Sequence, residues 1–174
     1  MKSLETQMQP TKCVKCSECN AFCSEKEVFV IDNAPVCRRC LFGKIPLVQI
    51  NPIGVVRNAQ DRSASDFGLR NHTGTSRIEL LPSQRRFMYK LEEEDCLTIV
   101  YYLHKARWVR SRFKRGLDGK EVGVFASRTP DRLSPIGIQD VRLVRVEGTV
   151  LVVEGLDAIN ETPVLDIKMC RHRE

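Results

Sequence analysis

Short runs of alternating or β-branched residues recur through the last two thirds of the chain. They read "LVQINPIGVVR" from residue 47, "SRIELLP" from 76, "LTIVYYLH" from 97 and "EVGVFAS" from 121. "VRLVRVEG" from 141, "TVLVVEGL" from 149 and "PVLDIK" from 163 complete the set. A period of two places alternate side chains on one face of a strand, and Gly, Pro, Asn and Asp separate the runs as turns do. One segment departs from this period. Residues 83–95, "SQRRFMYKLEEED", predict a helix with Ser83 as its cap and Phe87, Met88 and Leu91 as its apolar face. Its acids crowd the C-terminal end, against the helix dipole. Many strands with one helix predict a mainly β chain, a small barrel or a sandwich.

The first 45 residues follow another pattern. Six of the eight cysteines fall within residues 13–40, and "EVFVIDNAPVC" between them predicts a β-hairpin turning at "DNAP". Clustered Cys-x-x-Cys pairs point to a metal rather than to disulfides in a reducing compartment. Cys16/Cys19 and Cys37/Cys40 are separated by seventeen residues, a spacing that lets two turns present four thiolates to one zinc ion. Asn20, directly after Cys19, suits the left-handed backbone of a metal knuckle. Two alternatives stay open: an iron–sulfur reading of Cys13, Cys16, Cys19 and Cys23, and pairing of Cys13/Cys16 with Cys37/Cys40. A zinc ribbon is the expectation, with the ion holding a segment too short to bury a core. Cys96 and Cys170, far from the cluster, read as packed thiols. Gly43 and Pro46 in "FGKIPL" mark a boundary, giving a module at 1–45 and a domain at 46–174.

Composition changes the picture in two places. No apolar run approaches the ~20 residues of a membrane helix, and "MKSLETQMQPTK" lacks a secretory core, so a soluble cytoplasmic protein is expected. Residues 105–120, "KARWVRSRFKRGLDGK", hold seven Lys or Arg against one acid. That excess equals the +6 of the whole chain, and Trp108 and Phe113 are interleaved with it. Cations neutralise phosphates and aromatic rings stack on unpaired bases. Arg107, Arg110, Arg112, Lys114 and Arg115 are therefore candidate nucleic-acid contacts, against the plainer reading of a solvated loop.

"GVFASRTPDRLSPIG" (123–137), "VRLVRVEG" and "LVVEGLDAINETPVLDIK" (151–168), with "NPIGVVR" and the "LH" at 103–104, resemble the TsaA/TrmO-like family over about residues 47–169. The family pattern has Pro-Asn where this chain has Leu133 and Ser134, and Asp-Gly-Thr-Pro where it has Asn160, Glu161, Thr162 and Pro163. The loop 58–74 matches poorly. The resemblance implies a compact single-sheet β-barrel with one or two short helices, working as a homodimer. It implies S-adenosylmethionine as cofactor and methylation of N6 of threonylcarbamoyladenosine beside the anticodon of tRNA. Carried onto this chain, the cofactor wall would comprise His104, Lys105, Arg128, Ile138, Asn160, Glu161, Thr162 and Pro163. Arg128 suits the cofactor's carboxylate. Asp157, His104 and Tyr101 are candidate bases for deprotonating an acylated nitrogen. Lys12, Lys15, Arg38 and Arg39 of the ribbon would add a second tRNA contact. A different methyl acceptor, or cofactor or RNA binding without catalysis, are the competing readings.

Overall fold

The computed structural model describes residues 12–59, 74–116 and 118–170. Loop 58–74 lies almost wholly outside them. The chain forms two compact units: one of the residues up to Leu47 together with Trp108–Ser111, the other of Val48–Arg107 and Arg112 onward.

The first unit is two hairpins and a turn of helix. Strands β1 (Cys13–Lys15) and β2 (Phe22–Ser24) pair antiparallel. The connection folds back through Asn20 N–H to Cys16 O, with Asn20 at φ 60° as the knuckle expectation requires. Strands β3 (Val28–Ile31) and β4 (Ala34–Cys37) pair in the same way. Asp32 and Asn33 both take positive φ between them, the two-residue turn whose twist matches that of the strands. Helix α1 (Arg38–Phe42) follows and stops at Gly43, φ 59°. Its Phe42 ring meets Phe29 edge-on at 5.4 Å. Among the described residues, the unit's buried centre is Cys16, Val36 and Cys37, with Cys23, Ile31, Cys40 and Leu41 packed against it.

The second unit is a closed barrel. Its strands are β5 (Gly54–Arg57), β6 (Thr75–Leu80), β7 (Cys96–Tyr102), β10 (Ile136–Glu147), β11 (Val150–Glu154) and β12 (Pro163–Met169), in the spatial order β10-β11-β6-β5-β12-β7. Every pairing is antiparallel, and β7 closes the ring against both β10 and β12. The alternation read from sequence supplies the core. β7 buries Leu97, Ile99 and Tyr101, β6 buries Ile78 and Leu80, and Val56, Val141, Leu143, Leu151, Val153 and Val164 come from the others. Each fully buried aliphatic side chain contributes roughly 1.5–3 kcal/mol. Closure leaves no edge among these strands to pair elsewhere. The mainly β expectation and the barrel thus hold. A separate hairpin, β8 (Arg112–Lys114) with β9 (Glu121–Gly123), carries most of the remaining basic stretch.

Four sequence expectations need correction. Residues 83–95 are not one helix: short 3-10 turns at Pro82–Phe87 and Leu91–Glu93 flank Lys90, whose φ of 61° interrupts any helix. Met88 is buried and Leu91 packs on the core, while Phe87 is 75% exposed, so packing draws in a different face from the one a regular helix would present. "GVFAS" leaves the strand at Gly123 for a 3-10 turn, Val124–Ala126, which buries Val124 and exposes Phe125. Residues 47–53 form no strand, and Leu47, Val48 and Ile50 are exposed. Cys96 and Cys170 are not separate thiols but a disulfide joining β7 to the end of β12, with Cα atoms 5.5 Å apart. The β7–β12 register, Leu97 opposite Met169, carries them face to face.

Candidate cofactor cleft and metal centre

The cleft lies where three separated segments of the barrel unit meet. Leu103, His104, Lys105 and Ala106 follow β7, Pro130 comes from the loop after β9, and Ala158, Ile159 and Thr162 come from the loop between β11 and β12. They line a cleft that opens to solvent. The lining is chiefly apolar, with His104, Lys105 and Thr162 as its polar side chains, the composition expected of a site for an organic ligand.

Backbone and side-chain bonds set each wall. Leu103 N–H donates to Pro135 O and Ala106 N–H to Leu103 O, which turns the chain sharply after the strand. Arg132 holds the wall containing Pro130, its guanidinium donating to Thr129 O at 2.8 Å, Ser127 O at 2.7 Å and Val124 O at 3.3 Å. It braces its own loop. The third wall is tied at both ends. Gln139 on β10 accepts from Asp157 N–H at 2.8 Å and donates to Gly155 O. Asn58, after β5, donates to Ala158 O at 2.7 Å and to Ser76 Oγ at 3.0 Å, and its N–H meets Asn160 Oδ1. Neither Asn58 nor Gln139 stood out in the sequence, because an isolated polar residue beside a strand carries no local signal.

Of the residues carried over from the resemblance, His104, Lys105 and Thr162 line the cleft. Thr162 is 2% exposed, with Oγ1 3.5 Å from His104 Nδ1. Arg128, Ile138, Asn160, Glu161 and Pro163 lie outside that lining. Arg128 is exposed and electrostatically close to Tyr101, and Ile138 is exposed on β10 opposite Val100. The Asn160 oxygen is engaged by Asn58. Glu161 pairs with Arg57 at 3.1 Å and holds φ 66°, the left-handed turn that the family's glycine suits. Pro163 begins β12 opposite Val55. Residues the sequence did not single out, Leu103, Ala106, Pro130, Ala158 and Ile159, make up the apolar lining.

The three candidate bases differ in electrostatics and position. Burial, reinforced by the Asp157 charge, pushes the Tyr101 phenol up to about 12, so at neutral pH it donates and does not accept a proton. Its hydroxyl lies 3.5 Å from Asp157 O. Partial burial and then the neighbouring Lys105 hold the His104 imidazole below its ordinary 6.5, leaving a neutral ring at pH 7. Asp157 sits at the head of the Ala158 wall, held through its N–H by Gln139.

In the first unit, one sulfur each from Cys16, Cys19, Cys37 and Cys40 lies within 4.8 Å of all the others. Cys16–Cys40, Cys19–Cys37 and Cys37–Cys40 are 3.9, 3.8 and 3.5 Å apart. A tetrahedral ion with metal–sulfur bonds of about 2.3 Å places its sulfurs about 3.8 Å apart, so the cluster fits a single ion. The backbone N–H groups of Cys19 and Cys37 lower the Cys16 thiol to about 6, favouring the thiolate a metal needs. Among the described residues, Cys13 and Cys23 are not part of this group of four, and burial raises the Cys23 thiol.

Within the basic stretch, the described residues include Val109, bridged to Ile31, and the β8–β9 hairpin. Arg107, Arg110, Arg112 and Lys114 are exposed. Arg115 is held by Asp118 across the β8–β9 turn, its Nε 3.0 Å from the carboxylate, which leaves it less charge to offer a phosphate.

Comparison with known proteins follows the same division. The family described as "tRNA-methyltransferase O N-terminal domain" matches residues 67–171. An Archaeoglobus fulgidus protein named "Probable S-adenosyl-L-methionine-binding protein" is 36% identical over 127 residues, covering 70% of this chain and 34% of the relative. A Mus musculus protein named "tRNA (adenine(37)-N6)-methyltransferase" is 38% identical over 81 residues, covering 45% of this chain and 19% of its own length. The crystal structure of TrmO from Pseudomonas aeruginosa superposes with a TM-score of 0.57 at 28% identity, covering 72% of this chain and 57% of that one. The chain thus spans about a third of the Archaeoglobus protein and little more than half of the crystallised one. No helix among the described residues is long and apolar enough to cross a membrane.

Proposed function

The chain belongs to the tRNA-methyltransferase O N-terminal domain family, and from that premise we propose that it is an S-adenosylmethionine-dependent methyltransferase acting on N6 of an adenine in tRNA, beside the anticodon. The observation that carries the reading is convergence. The segment after β7, the loop containing Pro130 and the Ala158–Thr162 loop each belong to a different family motif, and all three line the cleft. The names of the relatives support the same cofactor and the same acceptor atom. The finer substrate we propose is threonylcarbamoyladenosine.

The apolar lining fits an adenosine-bearing ligand; Lys105 on the cleft wall and Arg128, exposed near Tyr101, are the cations we assign to its carboxylate. The cofactor supplies the electrophilic methyl. The chain's own groups then align the acceptor and take up its proton. His104, neutral at pH 7 and on the cleft wall, is the base we assign, since Tyr101 keeps its proton to about pH 12. Tyr101 and Arg128 orient and polarise. In the first unit we propose zinc on Cys16, Cys19, Cys37 and Cys40, as a structural ion that folds the ribbon. The family's homodimer is proposed for this chain too.

The deciding experiment is mass spectrometry of tRNA nucleosides after incubation with the protein and methyl-labelled S-adenosylmethionine. Label on an N6-modified adenosine is the expected result. Cofactor binding with no label in any nucleoside, from tRNA that carries threonylcarbamoyladenosine, would overturn the assigned reaction.

A further inference from the structure

The hairpin tip of the ribbon unit holds a piece of the basic stretch. Ser111 donates from its N–H to both carboxylate oxygens of Asp32, at 3.1 and 3.2 Å, and from its hydroxyl to one of them. Asp32 N–H points to Val109 O at 3.4 Å, and Val109 forms a parallel bridge with Ile31. Four residues, Trp108–Ser111, are thereby added to the β3–β4 hairpin, although about 70 residues of chain separate them from it. Val109 is half-buried in this pairing, and its neighbours Trp108 and Arg110 are exposed, Trp108 by 64%. In an extended segment the residues on either side of an inward one share the outer face. An indole and a guanidinium on one face match an unpaired base and its phosphate.

This hairpin cannot stand on its packing alone. Among the described residues, the buried centre of the ribbon unit is Cys16, Val36 and Cys37, two of them in the sulfur cluster. Sulfurs 3.5–3.9 Å apart repel as thiolates and are drawn together by an ion. An ion bound there would fold the ribbon, and with it the Asp32–Asn33 turn that holds Trp108–Ser111.

We propose that the metal-loaded ribbon is an RNA-presenting scaffold: by gripping Trp108–Ser111 through Asp32 it fixes Trp108 and Arg110 as a contact for the unpaired nucleotides of an RNA stem-loop. The inference rests on the tRNA reading above and deepens it. It predicts that metal governs RNA affinity but not cofactor affinity, because the cleft residues belong to the barrel unit.

Trp108 is the chain's single tryptophan, so intrinsic fluorescence reports on this segment alone. The test uses the full chain, zinc-loaded or stripped with chelator under reductant, and a fluorescein-labelled anticodon stem-loop RNA. Asp32→Gly serves as the metal-retaining variant, since glycine accepts the φ of 49° at that turn and removes only the carboxylate. The loaded wild type should bind the RNA with quenching of Trp108. Stripping zinc, and Asp32→Gly with zinc in place, should each lower Trp108 anisotropy and weaken RNA binding about tenfold or more, the loss of one stacked base. S-adenosylmethionine affinity by calorimetry should stay unchanged in Asp32→Gly. RNA binding and Trp108 anisotropy that ignore both perturbations would overturn this inference and leave the tRNA reading intact. Failure of the loaded wild type to bind the RNA would overturn both.

Discussion

Gly137, the glycine of "SPIG", faces Tyr101 across the β7–β10 pairing. A Cβ added there would stand 2.4 Å from Cε2 and 2.5 Å from Cζ of the Tyr101 ring. Carbon atoms pack best at about 3.5–4.0 Å, so the overlap exceeds an ångström. Tyr101 is 4% exposed, and its rigid ring cannot swing into solvent to make room. Overpacking of this kind costs about 1–3 kcal/mol, so Gly137→Ala should destabilise the barrel by about 2 kcal/mol. The displaced ring also carries its hydroxyl away from Asp157 O, beside the Ala158 wall, and cofactor affinity should fall with stability. Urea denaturation followed by far-UV circular dichroism gives the first quantity and calorimetry with S-adenosylmethionine the second. A double-mutant cycle isolates the cause. In a Tyr101→Leu background the clash is gone and alanine is the better strand residue, so Gly137→Ala should cost less than about 0.5 kcal/mol or stabilise slightly. Equal costs in both backgrounds would refute the assignment of this glycine to the Tyr101 ring.

Three further outcomes follow from the geometry. Glu161→Gly should raise stability by about 1 kcal/mol in urea denaturation, because a φ of 66° strains a residue with a Cβ by more than its exposed pair with Arg57 returns; a loss would mean the pair outweighs the strain. Reduction of Cys96–Cys170, or Cys170→Ser, should lower the barrel's melting temperature: closing a loop of 74 residues stabilises by up to about 4 kcal/mol in the chain-entropy treatment, and identical melting curves with and without reductant would exclude the crosslink in solution. His104, held below 6.5, binds fewer protons in the folded chain than in the unfolded one, so stability is level above about pH 6.5 and falls as pH drops through that value. Affinity for the cationic cofactor should fall as pH drops through the folded-state value, which lies below 6.5, and His104→Gln should remove both pH limbs in denaturation and calorimetry; a limb that survives the substitution belongs to another group.

What the sequence determined by itself is what neighbouring residues enforce on one another. The Cys-x-x-Cys pairs, the left-handed Asn20, the Asp32–Asn33 turn and the alternation of Leu97, Ile99 and Tyr101 all follow from backbone sterics and a period of two, which a reader of the chain can follow without coordinates. The family motifs named the segments that build the cleft, yet only His104, Lys105 and Thr162 of the expected residues line it. Everything that depended on distant partners was decided by the tertiary structure. Residues 83–95 had the composition of a helix, but burying Met88 and Leu91 in the barrel core set a path broken at Lys90. "GVFAS" had the period of a strand, but three carbonyl bonds to Arg132 hold its end in a turned loop. Asn58 and Gln139 acquired a role only when barrel closure brought the Gly155–Thr162 loop against them. The same is true of Cys96 with Cys170 and of Asp32 with Ser111, pairs some 75 residues apart along the chain. No local propensity encodes such pairs, because their energy is realised only after the intervening strands have paired.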